Sequence, residues 1–364
     1  MYEHPAYLDA FRELTGLRAQ GVIRELGVTN FNTDHLRVLI KQGNPVISNQ
    51  VSFSVLDRRA AGPMTGLCRQ HGIRLLAYGT LAGGLLSERW LGAPEPAAGD
   101  IDDWSKMKYR RFVAAIGGWG VLQAIITALD AIARRHQVSI ANVATSWVLD
   151  QPAVVAVIVG CRPGERDHSA DKLRTFSFAL NAQDHGRLNE ALAISRSPPG
   201  DCGDEYRKPP FLTASGDLSH HLTDMPKVYT AVRVPGRADH SRVDSGSVWE
   251  SVCGFSRAVR IGDRTLISGT TATYGADGIV GAGDVAAQTT FIPDKMAACL
   301  SALGSSLADV VRTRIYMRDA SQWEAVARVH GRYFAGIQPA NTLIGVANLV
   351  GDYDVEIEAE AIVD

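Results

Sequence analysis

The feature that most constrains this chain is a change of rhythm near residue 195. Before it, short apolar runs alternate with helical patterns; after it, strands come first. The runs ELGVTNF (25–31), PVISNQVSF (45–53), IRLLAYG (73–79) and VVAVIVG (154–160) are rich in Val, Ile and Leu. Continuous runs of this kind mark strands buried on both faces, and intervening helices make neighbouring strands parallel. Residues 5–20 place Tyr7, Ala10, Phe11, Leu14 and Leu17 three or four apart, one apolar helix face that Gly21 ends. Further helices are predicted over 33–42 (ended by Gly43), 60–70, 119–136, 139–150, 167–174 and 182–194. The insert LAGGLLSERWLGAPEPAAGDIDDWSKMKYRRF reads as a surface loop over one end of the sheet.

Residues 197–230 are rich in Pro, Ser, Asp and Gly, carry no apolar period, and read as a linker. From 231 onward the order is α+β. SRAVRIGDRTLISGTTA (256–272) is a hairpin turning at Gly262-Asp263, and a long helix with Pro293 spans 284–303. A strand (309–319), a helix (321–336) with a Ser321/Glu324 capping box, and two closing strands follow. The domains expected are therefore 1–196, a linker 197–230, and 231–364.

The length of 364 residues suits two or three domains, and the net charge of −2 gives no electrostatic reason for a nucleic-acid or anionic-membrane partner. No apolar run approaches the roughly 18 residues of a membrane span. Cys68, Cys161, Cys202, Cys253 and Cys299 are scattered and form no C-x-x-C pair, so neither a metal site nor a disulfide framework is expected. MYEHPAYLDAFREL lacks a basic stretch followed by an apolar one, and a cytoplasmic location is expected. His220-His221 has no third ligand nearby, and GADGIVGAGD (275–284) has no P-loop lysine.

GVTNF (27–31), SNQVSF (48–53), LLAYGTLAGGLL (75–86) and VIVGCRPGERDHSADKL (157–173) resemble the fifth to eighth strand ends of aldo-keto reductases, over roughly residues 3–195. The resemblance implies a partial (β/α)8 TIM barrel of about four βα units, with its site at the C-terminal strand ends. It also implies NADPH as cofactor. Thr29, Asn30 and Gln50 would bind the nicotinamide carboxamide, and Tyr78 would stack on the ring. The stretch from Gly79 through Leu81 and Gly83 to Leu85 would pass the pyrophosphate, with Gly160 at the next strand end. Arg162 and Arg166 would face the 2′-phosphate, while Lys172 stands where the family often has an asparagine. The family's acid tyrosine and its lysine, aspartate and histidine partners lie on the first four strand–helix units, outside this chain. The expectation is thus a chain shorter than its gene product, its reductase half inactive as it stands; a half-barrel that dimerises to cover its edges is the alternative.

Residues 232–364 resemble the RidA (YjgF/UK114) family through LISGTTA (266–272), SSLADVVRTRIYMRD (305–319), VARVHGRYF, QPANTLIGVANLV (338–350) and VEIEAEAIV (355–363). The resemblance implies an α+β chorismate-mutase-like fold, a homotrimer with clefts between subunits, and hydrolysis of imines and enamines. Ser268 and Gly269 match the pocket floor and Glu358 the acid that positions water. Asn341 replaces the arginine that grips a substrate carboxylate in members acting on imino acids. Phe255 replaces an aromatic hydroxyl, and Arg257 is a candidate replacement charge. An uncharged imine, enamine or carbonyl compound is therefore the expected ligand. A non-catalytic oligomeric module that binds a small ligand, with an inert half-barrel, is the second reading.

Overall fold

A computed structural model describes residues 2–97, 104–160, 168–207 and 227–363; Arg162 and Arg166 lie outside the described residues. The first part of the chain runs α1 (Ala6–Ala19), β1 (Leu26–Thr29), α2 (Thr33–Lys41), β2 (Val46–Ser52), α3 (Pro63–His71), β3 (Arg74–Tyr78), α4 (Trp104–Ile116), α5 (Trp119–His136), α6 (Ile140–Leu149), β4 (Val154–Ile158), α7 (Ser169–Leu173) and α8 (Ala182–Ala193). The second part runs β5 (Ala231–Arg233), β6 (His240–Val243), α9 (Val248–Cys253), β7 (Ala258–Ile261), β8 (Arg264–Thr270), β9 (Thr273–Tyr274), β10 (Gly278–Ile279), α10 (Val285–Ala302), β11 (Val310–Met317), α11 (Trp323–Phe334), β12 (Ala340–Gly345) and β13 (Val355–Ile362). Two compact units result, and they do not follow the sequence segments. One takes the described residues of Met1–Arg24, Asp34–Pro45 and Asp224–Asp364; the other takes those of Glu25–Thr33 and Val46–Thr223.

In the second of these units, β1-β2-β3-β4 form a parallel sheet in chain order. The four apolar runs are its strands, as their composition dictates. Phe53, Leu56, Met64, Leu75 and Leu122 are fully buried around them. The insert after β3 is not a surface loop. Leu85, Leu86, Trp90, Tyr109 and Phe112 are buried, and its last residues, 104–112, belong to α4. Its apolar residues carry it inward despite their Pro- and Gly-rich surroundings. At the β4 edge Val155 and Ile158, on opposite faces of the strand, are 51% and 46% exposed, and β4 pairs with β3 alone among the described strands.

In the other unit a seven-stranded sheet has the order β12-β11-β13-β8-β7-β6-β5. β11 and β12 are parallel; the other pairs are antiparallel. The β7–β8 hairpin turns at Gly262, whose φ of 61° favours glycine. The short strands β5, exposed throughout, and β6 extend the sheet beyond the strands read from sequence. Along β13 the even period is strict: Val355, Ile357, Ala359 and Ala361 are buried, while Glu356, Glu358 and Glu360 share the opposite face. The capping box at Ser321/Glu324 does not form. Asp319 caps the short turn before α11 through the Ser321 amide instead, and Glu324 pairs with Arg328.

α1 and most of α2 belong to this unit. His35 Nε2 lies 2.6 Å from Asp294 Oδ2 on α10, and the Tyr333 hydroxyl of α11 donates to Asp294 Oδ1 at 2.8 Å. The Tyr2 ring stacks on His35. Asp34 pairs with Arg332, and Arg37 and Lys41 both approach Asp284, which caps α10.

Lys295 of α10 is 5% exposed and donates to the Thr273 carbonyl at 3.0 Å. Burial brings its pKa down from 10.5 to about 8. Between those values the unfolded chain binds the extra proton, so stability rises with pH across this window. Lys295→Met should remove that slope, a change on the order of 3 kcal/mol between its ends, read as the wild-type-minus-variant difference in urea denaturation.

Candidate functional site

At the C-terminal ends of β3 and β4, and under the loop after β3, lies a cavity of about 770 Å³. Tyr78, Gly79, Leu81, Gly83, Gly160 and Lys172 all line it, so six of the residues singled out for the cofactor meet in one place. Gly79 has φ 69°, and a Cβ there would collide with the Tyr109 hydroxyl. Gly83 has φ 65°. Both positions thus take glycine and bring bare backbone to the cavity wall. The Thr80 hydroxyl is 1% exposed and has no hydrogen-bond partner among the described residues, an orphan oxygen suited to a polar ligand.

The charges in the lining are arranged for an anion. Its carboxylates are already engaged around the start of α6: Glu88 accepts from the Ile140 amide at 2.7 Å, and Asp171 accepts from Ser139 and Asn142. Arg89, Lys106, His168 and Lys172 supply basic groups. These features fit the phosphates of a dinucleotide.

Thr29, Asn30 and Gln50 stand at the adjoining strand ends, outside the lining of the cavity. Asn30 has φ 56°, its amide donates to the Gln50 carbonyl at 2.8 Å, and its Oδ1 accepts from the Tyr78 hydroxyl at 2.7 Å. Burial first, then the Glu205 charge, push the Tyr78 pKa upward and keep it a phenol.

Four residues here carried no signal that the sequence reading used: Arg59, Lys108, Glu205 and Tyr206. Lys108 Nζ donates to the Tyr206 hydroxyl at 2.7 Å and lies 4.0 Å from Glu205. Arg59 bridges Asp57 at 2.7 Å and Glu205 at 3.0 Å. Glu205 and Tyr206 come from residues 200–207, part of the stretch read as a linker. That segment is a strap across the ends of β1 and β2. Arg207 donates to the Asn30 carbonyl at 2.7 Å, the Thr33 amide to Asp201 at 2.9 Å, and Arg59 to the Asp201 carbonyl at 3.0 Å.

In the C-terminal module, Ser268-Gly269 forms a bulge on β8. Ile357 pairs with Thr270 but Ala359 with Ile267, so β8 carries an extra residue opposite Glu358. Bulges re-aim side chains and recur beside active sites. The carboxylate laid against this bulge is Glu356. Its Oε1 fills the space a Cβ on Gly269 would need. Glu358 instead pairs with Arg314 at 2.5 Å and accepts from the Tyr316 hydroxyl at 3.3 Å. Burial first, and also the Glu358 charge, raise the Glu356 pKa, with Arg257 opposing.

Arg257 is buried and held: Nε donates to Glu250 at 3.0 Å and Nη1 to the Gly269 carbonyl at 2.5 Å, with the guanidinium over the Phe255 ring. Ser268 donates to the Ser256 carbonyl. Asn341 lies elsewhere, on β12, donating to Thr313 at 2.9 Å. Three strand spacings, roughly 14 Å, separate β12 from β8.

Among the described residues no group of three metal-ligating side chains occurs, and no single helix is long and apolar enough to cross a membrane.

Comparison with known proteins places two families on one chain. Residues 1–193 match the model described as aldo/keto reductase family, and residues 247–363 the model described as endoribonuclease L-PSP. The chain belongs to the aldo/keto reductase family, with a RidA-family domain at its C-terminus. The RidA domain is 31% identical over 107 residues to a RutC family protein of Pyrococcus horikoshii, covering 85% of that protein and 29% of this chain. A solved YjgF/YER057c/UK114 family member from Mycobacterium tuberculosis is 42% identical, covering 99% of that chain and 34% of this one, with a TM-score of 0.31. Flagellar radial spoke protein 5 of Chlamydomonas reinhardtii is 41% identical over 130 residues, 35% of this chain; the chain spans only 24% of that relative's length. The cavity after β3 lies within the aldo/keto reductase match, and the Ser268-Gly269 bulge within the RidA-family match.

Gly203 anchors the strap: its φ is 78°, and a Cβ would collide with the Asn30 carbonyl. Gly203→Ala should cost about 2 kcal/mol of local stability, read as roughly thirtyfold faster amide exchange over 202–207.

Proposed function

We propose that the reductase-family module binds NADPH and that the RidA-family module hydrolyses an uncharged imine or enamine to a carbonyl compound and ammonia. The observation that carries the first part is the cavity after β3, which joins glycine backbone, the orphan Thr80 hydroxyl and basic side chains around Tyr78. When bound, NADPH supplies hydride to a carbonyl carbon. By resemblance, Thr29, Asn30 and Gln50 hold its carboxamide, Tyr78 its ring, and Arg162, Arg166 and Lys172 its adenosine end.

In the RidA-family module Glu356, rather than Glu358, is the proposed base. Its carboxylate takes a proton from the water that adds to the C=N carbon, and the nitrogen leaves as ammonia once protonated. Asn341 sits too far from the bulge to share a pocket with Glu356 in one protomer, which favours a cleft closed by a neighbouring subunit and hence a homotrimer. Leu266 and Ile362, exposed on the Glu356 face, suit such an association.

Fluorescence titration of the 364-residue chain with NADPH should show saturable binding, weakened about tenfold by Lys172→Glu, roughly 1.4 kcal/mol. An absence of binding favours the non-catalytic, ligand-binding reading.

A base works only when ionised, so hydrolysis should fall on the acid side through a pKa above the ordinary glutamate range. Glu358→Gln removes a neighbouring negative charge and should move that limb to lower pH. Glu356→Gln should reduce the rate at least about a hundredfold, measured by ketone release.

A further inference from the structure

We propose that Arg257, fixed by Glu250, is a positioning residue that aims and tunes the Glu356 carboxylate at the β8 bulge, and is not an anchor for a substrate anion; this rests on the reading that the RidA-family module is a hydrolase. Arg257 and Glu356 meet on one residue. Arg257 Nη1 donates to the Gly269 carbonyl at 2.5 Å, while Glu356 Oε1 occupies the space of a Gly269 Cβ. The same Nη1 reaches the Thr270 hydroxyl at 3.4 Å, and the Ser268 amide donates to the Arg257 carbonyl at 3.0 Å. Residue 257 thus grips the bulge at 268, 269 and 270, and the bulge decides where the carboxylate lies.

The grip has its own anchor. Arg257 and Glu250 are 5% and 6% exposed, and Nε donates to Glu250 Oε1 at 3.0 Å. Glu250 also accepts from the Ser245 hydroxyl at 2.6 Å and from the Ser245 and Gly246 amides at 2.8 and 3.0 Å. A guanidinium with these partners is committed inside the protein. Asn341, on a distant strand, is neutral. Neither gives a substrate carboxylate the charge-assisted pair that would hold it.

Electrostatics supplies the second role. A general base must be ionised at the working pH and still basic enough to take a proton. Burial moves the Glu356 carboxyl up and the Glu358 charge adds to it, while the Arg257 charge opposes both. Tyr316 of β11, the register partner of Glu356, stays a phenol. Glu250 tempers Arg257, so the pull on Glu356 is partial. From α10 Lys295 faces the pair, and burial keeps the Cys299 thiol and the Tyr229 phenol protonated.

The test follows carbonyl release by the full 364-residue chain, above the spontaneous rate and across pH, from freshly formed imines of acetone and of pyruvate. Arg257→Gln removes the cation, so the acid limb should move up by about one pH unit. Arg257→Lys should return it toward the wild-type position. Glu250→Gln leaves the cation unopposed and should move the limb down by about as much. Lost packing alone lowers the rate and produces no such opposite movement. The wild type should prefer the acetone imine, a result that needs no variant. Limbs that stay in place or move the same way in Arg257→Gln and Glu250→Gln overturn the proposal. A wild-type preference for the pyruvate imine that Arg257→Gln abolishes also overturns it. A wild type that accelerates neither reaction overturns the hydrolase reading itself and this proposal with it.

Discussion

The arrangement at the ends of β1 and β2 depends on one buried cation. The Arg59 guanidinium holds Asp57 through both of its oxygens and reaches Glu205, with all three side chains almost wholly removed from water. Desolvating such charges is costly, and removing one partner strands the others, at about 3–5 kcal/mol. Arg59 therefore sets where the strap can lie. With Glu205 in place, Lys108 has its counter-charge, Tyr206 its ammonium, and Asn30 its cover. The guanidinium also rests over the Phe112 ring at 5.3 Å, which ties α4 into the same arrangement. A set of small polar contacts is thus organised by one bidentate ion pair that the turn after Phe53 carries into the interior.

Much of this was legible because apolar periodicity reports burial. The four strand runs, the helix ends at Gly21 and Gly43, and the Gly262 turn all correspond to elements the chain forms. Polar construction was not legible by the same means. Residues 200–207 have no apolar period because ion pairs and hydrogen bonds, not hydrophobic burial, hold them down. The insert after β3 misled in the opposite sense: its Pro and Gly content hid Leu85, Leu86 and Phe112, which decide where it packs.

The choice among glutamates shows the same limit. In VEIEAEAI, alternation puts Glu356, Glu358 and Glu360 on one face and cannot rank them. Register decides. The extra residue on β8 lays Gly269 against Glu356, while Arg314 claims Glu358. A bulge is a relation between two strands distant in the chain, and no local pattern records it.

The distribution of α1 and α2 bears on how the molecule is made. β1 lies between them in the chain yet belongs to the other compact unit. The partners of His35 and Asp34, namely Asp294 and Arg332, lie more than 250 residues further along the chain. On a ribosome adding residues from the N-terminus, α1 and α2 are synthesised early, and their apolar and charged faces wait until α10 and α11 appear. The two families share the chain as interleaved rather than successive folding units. A cut in the segment between the two family regions would part α1 and α2 from the helices they pack on.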